Sequence, residues 1–384
     1  MPVLFFMPWV ACDEQIEVGP LRLVPYERRK RPGLLHGITQ ASLDGVLGSY
    51  GDPQYFPSRS ASTHARNATL LSWQGDSLDL EFSDDQIIQR LLEAQYVAFA
   101  ALTARQLASH FGYSNSDALQ TIAQRFDPDS PGATAVTVRR RDGSSMNYVG
   151  TSTRPRFIRP LHVGDRVSLN IDAPLLEALL RLPDGPDKAR IDDAIDLFVK
   201  ANTDSAAMPE RTEVVLVRAA FETLLQATHE ASDLRQRLSA HFAAELPAAV
   251  WSKGELSEAI WRARWPKHVN RPVDAWIQDF CASRNAAAHG PSAAHAPTVW
   301  PSRNHLMFVC LLLPLMVKKT LADVGVYSLS DTDRAVRAGF EAFFAHDVLS
   351  RREPNVPELW WTWVERKLLF DLRWSATFSN SADG

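Results

Sequence analysis

A short break in the chain, Pro183-Asp184-Gly185-Pro186, constrains the fold most, because it separates two stretches of different pattern. Two prolines and a glycine within four residues rarely continue a helix or a strand, so the sequence predicts a turn there. Before the break, strand-like runs mix with helical stripes, whereas after it the apolar residues recur almost entirely at helical spacing. We therefore expect a multidomain α+β protein. Its predicted parts are an N-terminal mixed α+β domain (1–172), a linker (173–186), an all-α helical bundle (187–326) and a C-terminal helical extension (327–384).

Bulk properties exclude several classes of protein. The net charge of -4 is not that of a general nucleic-acid binder, so any such contact must come from a local patch. Cys12, Cys281 and Cys310 lie far apart in the sequence and form no C-x-x-C pair. This pattern argues against a disulfide framework and is typical of a protein in the reducing cytoplasm. Residues 1–10 lack the basic flank of a signal peptide, and the longest apolar run, 306–317, is too short to span a bilayer. We expect a cytoplasmic protein without a membrane partner.

Turn residues and periodicity predict the elements of the N-terminal domain. Gln74-Gly75-Asp76 and Asp142-Gly143 each lie between two strand-like runs, which indicates two hairpins. The predicted strands are 69–73 with 78–82, and 135–138 with 146–149. Between the hairpins, Ser83 and Gln86 form the capping box of a helix, and a further helix is predicted over 116–125.

Seven arginines lie on and after the second hairpin and form a basic patch. They are Arg139, Arg140, Arg141, Arg154, Arg156, Arg159 and Arg166. Against Asp142 and Asp165 they give a local net charge of +5. Such a patch can follow an RNA backbone or bind a phosphorylated ligand, and the first five are the RNA-binding candidates. A solvated hairpin face explains the same charges equally well.

Helical spacing after the break predicts a series of helices. One over about 210–228 carries Arg218 and Glu222, which are spaced for an i,i+4 ion pair. Pro272 stands at the favoured first position of another helix, which Gly290-Pro291 ends. Further helices are predicted near 174–181, 233–244, 255–264, 302–324, 334–348 and 359–374.

The helix that begins at Pro272 ends in Arg284-Asn285-Ala286-Ala287-Ala288-His289. Arginine is an always-charged phosphate binder, and histidine titrates near neutral pH, so the pair suits phosphodiester chemistry. Their five-residue separation corresponds to about 140° of net rotation and about 7.5 Å of rise in a regular helix. One copy therefore does not aim both side chains at one phosphate. They converge if the last turn is distorted, or if two copies of the motif face each other across a dimer.

Plainer explanations of the same residues remain open. An arginine and a histidine near a helix end most often have a structural role, and Asn285 can simply stabilise that end. His289, His295 and His305 fit no common zinc-ligand spacing, so no metal site is predicted. No nucleotide-binding loop, dinucleotide fingerprint or nucleophile elbow is present in the sequence, and no cofactor is expected.

The segment from about 187 to 325 resembles a HEPN domain, a helical bundle marked by an arginine followed four to six residues later by a histidine. Arg284-Asn285-Ala286-Ala287-Ala288-His289 is similar to the commonest form of that motif. The preceding helix, with Arg218, Phe221-Glu222 and Leu224-Leu225, resembles the ApeA-like branch, in which a mixed domain precedes the bundle. The likeness covers about a third of the chain, and the N-terminal domain matches only in placement.

The resemblance implies a metal-independent endoribonuclease that acts as a homodimer, with a composite site at the bundle interface. His289 would be the general acid and base, Arg284 would hold the phosphate, and Asn285 would help to position it. Glu222 would either orient Arg284 or, more plainly, pair with Arg218. The family also suggests a toxin-like role in anti-phage defence through abortive infection, with a phage-derived or nucleotide trigger. The alternatives are a non-catalytic HEPN protein that dimerises and binds RNA or a ligand, and a helical interaction protein.

Overall fold

The structure is a computed structural model that describes most of the chain in two compact units. The described residues are 2–28, 38–53, 63–76, 81–108, 115–127, 133–139, 145–151, 155, 157–163, 167–242, 272–289, 302–331 and 333–334. One unit comprises residues 1–101 with 115–180, and the other comprises 102–114 with 181–384. The division between 180 and 181 falls inside the segment 173–186.

The first unit is built on a five-stranded antiparallel sheet with the order β3-β4-β7-β1-β8. Its strands are β1 (Val3–Met7), β3 (Ile16–Val18), β4 (Leu21–Glu27), β7 (Asn67–Trp73) and β8 (Ile122–Arg125). The inner strand β1, between β7 and β8, is buried along its whole length, and Phe6 lies opposite both Leu70 and Ile122. Both faces of the sheet are therefore covered, since successive side chains of a strand point to opposite faces.

Three smaller groups of strands complete this unit. In the first, β2 (Val10–Ala11) pairs with β12 (Val167–Ser168). The second is a three-stranded sheet with the order β11 (Phe157–Ile158), β5 (Tyr50–Asp52) and β6 (Thr63–His64). The third is the hairpin of β9 (Ala133–Arg139) with β10 (Ser145–Thr151). The hairpin confirms the prediction made from Asp142-Gly143. Its register pairs Ser145 with Arg139 and Thr151 with Ala133.

Two predictions for this unit are wrong. Residues 116–125 do not form a helix, because Ile122–Arg125 is an edge strand that pairs with β1 from Phe6↔Ile122 to Val3↔Arg125. The strand 69–73 does not form a hairpin with 78–82, because β7 is already flanked by β4 and β1. Glu81 and Phe82 lie outside any strand, and residues 77–80 are not described.

Three helices among the described residues lie wholly or partly in this unit. They are α1 (Gln40–Leu47), α2 (Asp84–Ala108), which continues past residue 101, and α3 (Ala173–Arg181). Leu43, Val46 and Leu47 of α1 share a core cluster with Leu4 and Phe6 of the sheet. The predicted capping box is confirmed, since the Ser83 backbone N–H donates to the side chain of Gln86 and the Gln86 N–H donates to the Ser83 hydroxyl.

The second unit is helical throughout its described regular elements. They are α4 (Pro186–Ala201), α5 (Glu210–Leu225), α6 (Ala231–Phe242), α7 (Pro272–His289) and α8 (Ser302–Asp323). Helix α5 is central because it contacts α4, α6, α7 and α8. Its Val214, Phe221 and Leu224 are fully buried, as the helical spacing predicts.

The content of helices and strands fits the predicted α+β class. The proposed helix 255–264 lies outside the described residues, as do residues 335–384 of the predicted C-terminal extension. No helix in the described part of the chain is both long and apolar enough to cross a membrane.

Candidate functional site

Helix α7 carries the Arg284–His289 motif at its C-terminal end and is held in place by a buried aromatic face. Trp276, Phe280 and Cys281 are buried, and the rings of Trp276 and Phe280 stack 5.3 Å apart. Arg284, the next residue on this face, is half-buried, and Ala288 is exposed. The buried face of the helix therefore ends near Arg284, and its last residues, Ala288 and His289, are exposed.

The three candidate catalytic residues differ in their surroundings. The Arg284 guanidinium donates a hydrogen bond from Nη1 to the side-chain oxygen of Asn285 at 3.1 Å. Its Nε atom is shielded from solvent without a hydrogen-bond acceptor, and Arg284 forms no ion pair with any described residue. Asn285 and His289 are exposed, and His289 is the last residue of α7. Arg284 is thus a partly desolvated cation without a carboxylate partner in the described structure, which is favourable for binding an anion.

A buried arginine lies behind this site, where α5 packs against α7. Arg218 is 1% exposed, and its Nη2 lies 3.3 Å from Oε1 of Glu222. The same nitrogen lies 3.5 Å from the backbone carbonyl of His229. Arg218 is also close enough to Cys281, which is one turn before Arg284 on α7, to act on the pKa of its thiol.

Three charged side chains, those of Arg218, Glu222 and Arg284, act on the pKa of the Cys281 thiol. Burial raises its pKa, Arg218 and Arg284 act in the opposite direction, and Glu222 adds to the rise. Glu222 forms its ion pair with Arg218, which is the plainer of the two arrangements predicted for it, and no ion pair joins Glu222 to Arg284. Any effect of Glu222 on Arg284 must therefore act through space or through Arg218.

Polar contacts also fix α7 to α8. The hydroxyls of Ser283 and Ser302 are 3.0 Å apart. One turn earlier, Nε2 of His305 lies 3.1 Å from Oδ2 of Asp279, and both side chains are completely buried. His305 therefore has a role in helix packing, unlike the exposed His289. His295 is outside the described residues. The described residues contain no cluster of histidine, cysteine, aspartate or glutamate suited to a metal ion.

The structure describes only part of the predicted basic patch. Arg139 is the last residue of β9, where it pairs with Ser145. The other four RNA-binding candidates, Arg140, Arg141, Arg154 and Arg156, are outside the described residues, and so is Arg166. Arg159 does not belong to an exposed basic face, because it is 2% exposed and its Nε lies 2.9 Å from Asp52. Residues distant in sequence supply its partners, so the local charge pattern gave no sign of its burial.

Sequence reasoning also missed the contacts that join α5, α6 and α7. The i,i+4 spacing indicated the pair of Arg218 with Glu222, but it contained no signal for the approach of Cys281 or of the His229 carbonyl.

No protein-family model matches the chain, and no curated protein or solved structure is significantly similar to it.

Proposed function

We propose that the chain is a metal-independent endoribonuclease of the HEPN type, with Arg284, Asn285 and His289 as its catalytic residues. The observation that carries the proposal is the end of α7, where a half-buried arginine lacks a described ion-pair partner. Asn285 holds one of its nitrogens, and the exposed His289 follows in the same last turns. A fixed cation and a proton-transferring side chain are the minimum that phosphodiester cleavage by an internal nucleophile requires.

The reaction uses the 2′-hydroxyl of the RNA as its nucleophile. His289 accepts the 2′-hydroxyl proton while the oxygen forms a bond to the adjacent phosphorus. The bond from phosphorus to the 5′-oxygen breaks, and that oxygen leaves with a proton supplied by a protonated histidine. The products are a 2′,3′-cyclic phosphate and a 5′-hydroxyl end. Arg284 stabilises the additional negative charge on the phosphoryl oxygens, and Asn285 keeps the guanidinium in place.

A homodimer is part of the proposal because of helical geometry. Arg284 and His289 project about 140° apart around a regular helix. A second copy of α7 facing the first would bring the histidine of one chain towards the arginine of the other. The complete site would then be composite and two-fold symmetric, and a single chain would be inactive.

The cellular role proposed for this activity is toxin-like. Cleavage of host RNA in the cytoplasm would stop growth during phage infection, and the first unit would restrain or trigger the helical unit. The trigger would be a phage-derived component or a nucleotide. This role rests on the resemblance of the motif and on the order of the two units along the chain.

A second candidate function is a non-catalytic HEPN-type protein that dimerises and binds RNA or another ligand. One observation favours it, namely that the described polar contact of Arg284 is with Asn285 and not with His289. An arginine held in this way can bind a phosphate without any proton transfer. The two candidates differ in whether RNA is cut.

The ends of the RNA products separate these possibilities. We expect the full-length protein to cleave single-stranded RNA in the presence of EDTA and to leave 2′,3′-cyclic phosphate and 5′-hydroxyl ends. An oligonucleotide of the same sequence with 2′-deoxy sugars should bind and remain intact, because it lacks the nucleophile. Cleavage of the deoxy substrate would contradict the mechanism. Binding of both substrates without cleavage of either would favour the non-catalytic candidate.

A further inference from the structure

A cavity of about 570 Å³ lies in the first unit, near the ends of several of its strands. Its volume is within the range typical of pockets for small organic ligands. Residues of β2, β5, β7 and β12, together with the turn after β1, form its wall. Those used below are Trp9, Asp13, Asp52, Arg66 and Arg159.

An ion pair with a buried arginine fixes one of the two acidic side chains of this cavity, that of Asp52. Arg159 is 2% exposed, and its Nε lies 2.9 Å from Oδ1 of Asp52, whose side chain is 35% exposed. The Arg159 guanidinium also donates to the carbonyl of Val163, and its backbone N–H donates to the carbonyl of Gly51. Asp52 is therefore held in one position while remaining accessible, as an acceptor in a specific binding site must be.

Trp9 contributes an aromatic side chain to the lining of the same cavity. It lies in the turn between β1 and β2 and also lines a neighbouring cavity of about 460 Å³. Its indole N–H is shielded from solvent and has no acceptor among the described residues. Aromatic side chains in such a position commonly stack on planar rings.

Arg66 provides donors at the edge of the cavity. Its side chain is exposed and forms no ion pair with the described residues. The charges of Arg66 and Arg159 balance those of Asp13 and Asp52, so the described residues of the lining carry no net charge. A neutral lining does not favour a polyphosphate or a metal cation, whereas it suits a planar ligand with both donors and acceptors.

We propose that this cavity binds a purine nucleotide through a base with the hydrogen-bonding edge of guanine. Asp52 accepts hydrogen bonds from the ring and amino N–H groups of the base, Arg66 donates to its O6 and N7 atoms, and Trp9 stacks on its face. Guanine offers two neighbouring acceptors to an arginine, whereas adenine has an amino donor in place of O6. The site is independent of the ribonuclease proposal, because none of its residues belongs to the helical unit.

Calorimetric titration of the full chain tests this site without any RNA cleavage. The probes are guanosine 5′-monophosphate, adenosine 5′-monophosphate and inorganic phosphate, so that the two nucleotides differ only in the base. We expect one guanosine monophosphate per chain, bound at least about tenfold more tightly than adenosine monophosphate, because a good bidentate contact discriminates by that order. Phosphate alone should give no saturable heat.

Three variants test the assigned contacts. Trp9→Leu, Arg66→Gln and Asp52→Asn should each weaken guanosine monophosphate binding by about tenfold or more. Glu17→Gln, an exposed change on the β3–β4 hairpin, should bind like the wild type. Circular dichroism checks the fold of Asp52→Asn, and the other two variants leave the buried Arg159 ion pair intact.

Several results would overturn the proposal. They are the absence of saturable binding up to millimolar nucleotide, equal affinity for the two nucleotides, and equal binding of phosphate alone. Wild-type affinity in both Trp9→Leu and Arg66→Gln would also overturn it, since the ligand would then lie elsewhere.

Discussion

Arg218 and Glu222 form an ion pair one helical turn apart on α5, with 3.3 Å between Nη2 and Oε1, and the arginine is almost completely buried. Arg218 also acts on the pKa of the Cys281 thiol on α7, three residues before Arg284. The pair therefore connects the central helix of the second unit to the helix that carries the candidate site. Because a buried charge needs a counter-ion, Glu222 has a structural role whatever the site does.

Glu222→Gln should destabilise the second unit by about 2 kcal/mol, because it leaves the buried Arg218 without a negative partner. Urea unfolding followed by tryptophan fluorescence measures the effect. Asp196→Asn is a matched control, since it removes the acid of an exposed i,i+4 pair with Lys200 on α4 and should leave the midpoint unchanged. Equal midpoints for both variants and the wild type would show that the Arg218 pair contributes nothing.

Acid should weaken the second unit through Asp333. The Asp333 carboxylate lies 2.7 Å from the Lys318 ammonium, and both side chains are about 95% buried. Burial alone would raise the pKa of Asp333, but Lys318 and hydrogen bonds from Ser330 outweigh it and hold the pKa below 3.8. A lowered pKa in the folded state means that the stabilisation is present above about pH 4 and is lost as pH falls through the folded value.

Asp333→Asn should therefore lower the free energy of unfolding at pH 7 by about 3 kcal/mol and flatten its decline below pH 4. Unfolding curves at a series of pH values measure both effects. Asp331→Asn, which changes a fully exposed neighbour, is the control and should reproduce the wild-type profile. An unchanged acid limb in Asp333→Asn would contradict this explanation.

The three cysteines should be unreactive in the native protein. Cys12, Cys281 and Cys310 are buried, and burial raises the pKa of each thiol, that of Cys310 to about 12. Since the thiolate is the reactive species, dithiobis(nitrobenzoic acid) at pH 8 should label no cysteine until urea is added, and then all three. Fast labelling of one thiol without urea would show that its site opens readily.

The sequence predicts elements whose signals are local. Pro272 begins α7, Asp142-Gly143 indicates the β9–β10 hairpin, and the spacing of Arg218 and Glu222 indicates their ion pair. In each case the residues that decide the structure lie within one element or one turn, so one-dimensional patterns are sufficient.

Prediction from local sequence patterns is wrong where residues far apart in the chain determine the structure. Residues 116–125 were expected to be helical, but their end is a strand because Ile122 and Arg125 pair with β1, more than a hundred positions earlier. Arg159 was assigned to an exposed patch, but Asp52 and tertiary packing bury it. The approach of Cys281 to Arg218 likewise depends on how α5 and α7 pack, which no local pattern specifies.

Cleavage of RNA in EDTA by matched variants tests the central claim most directly. Arg284→Ala and His289→Ala should each lose at least about a hundredfold in rate, as expected for removal of a phosphate-stabilising or proton-transferring group. Arg237→Ala and His229→Ala change an exposed arginine and an exposed histidine of the same unit and should retain wild-type activity. Equal cleavage by all five proteins would contradict the assignment of the site, and activity abolished by EDTA would contradict the metal-independent mechanism.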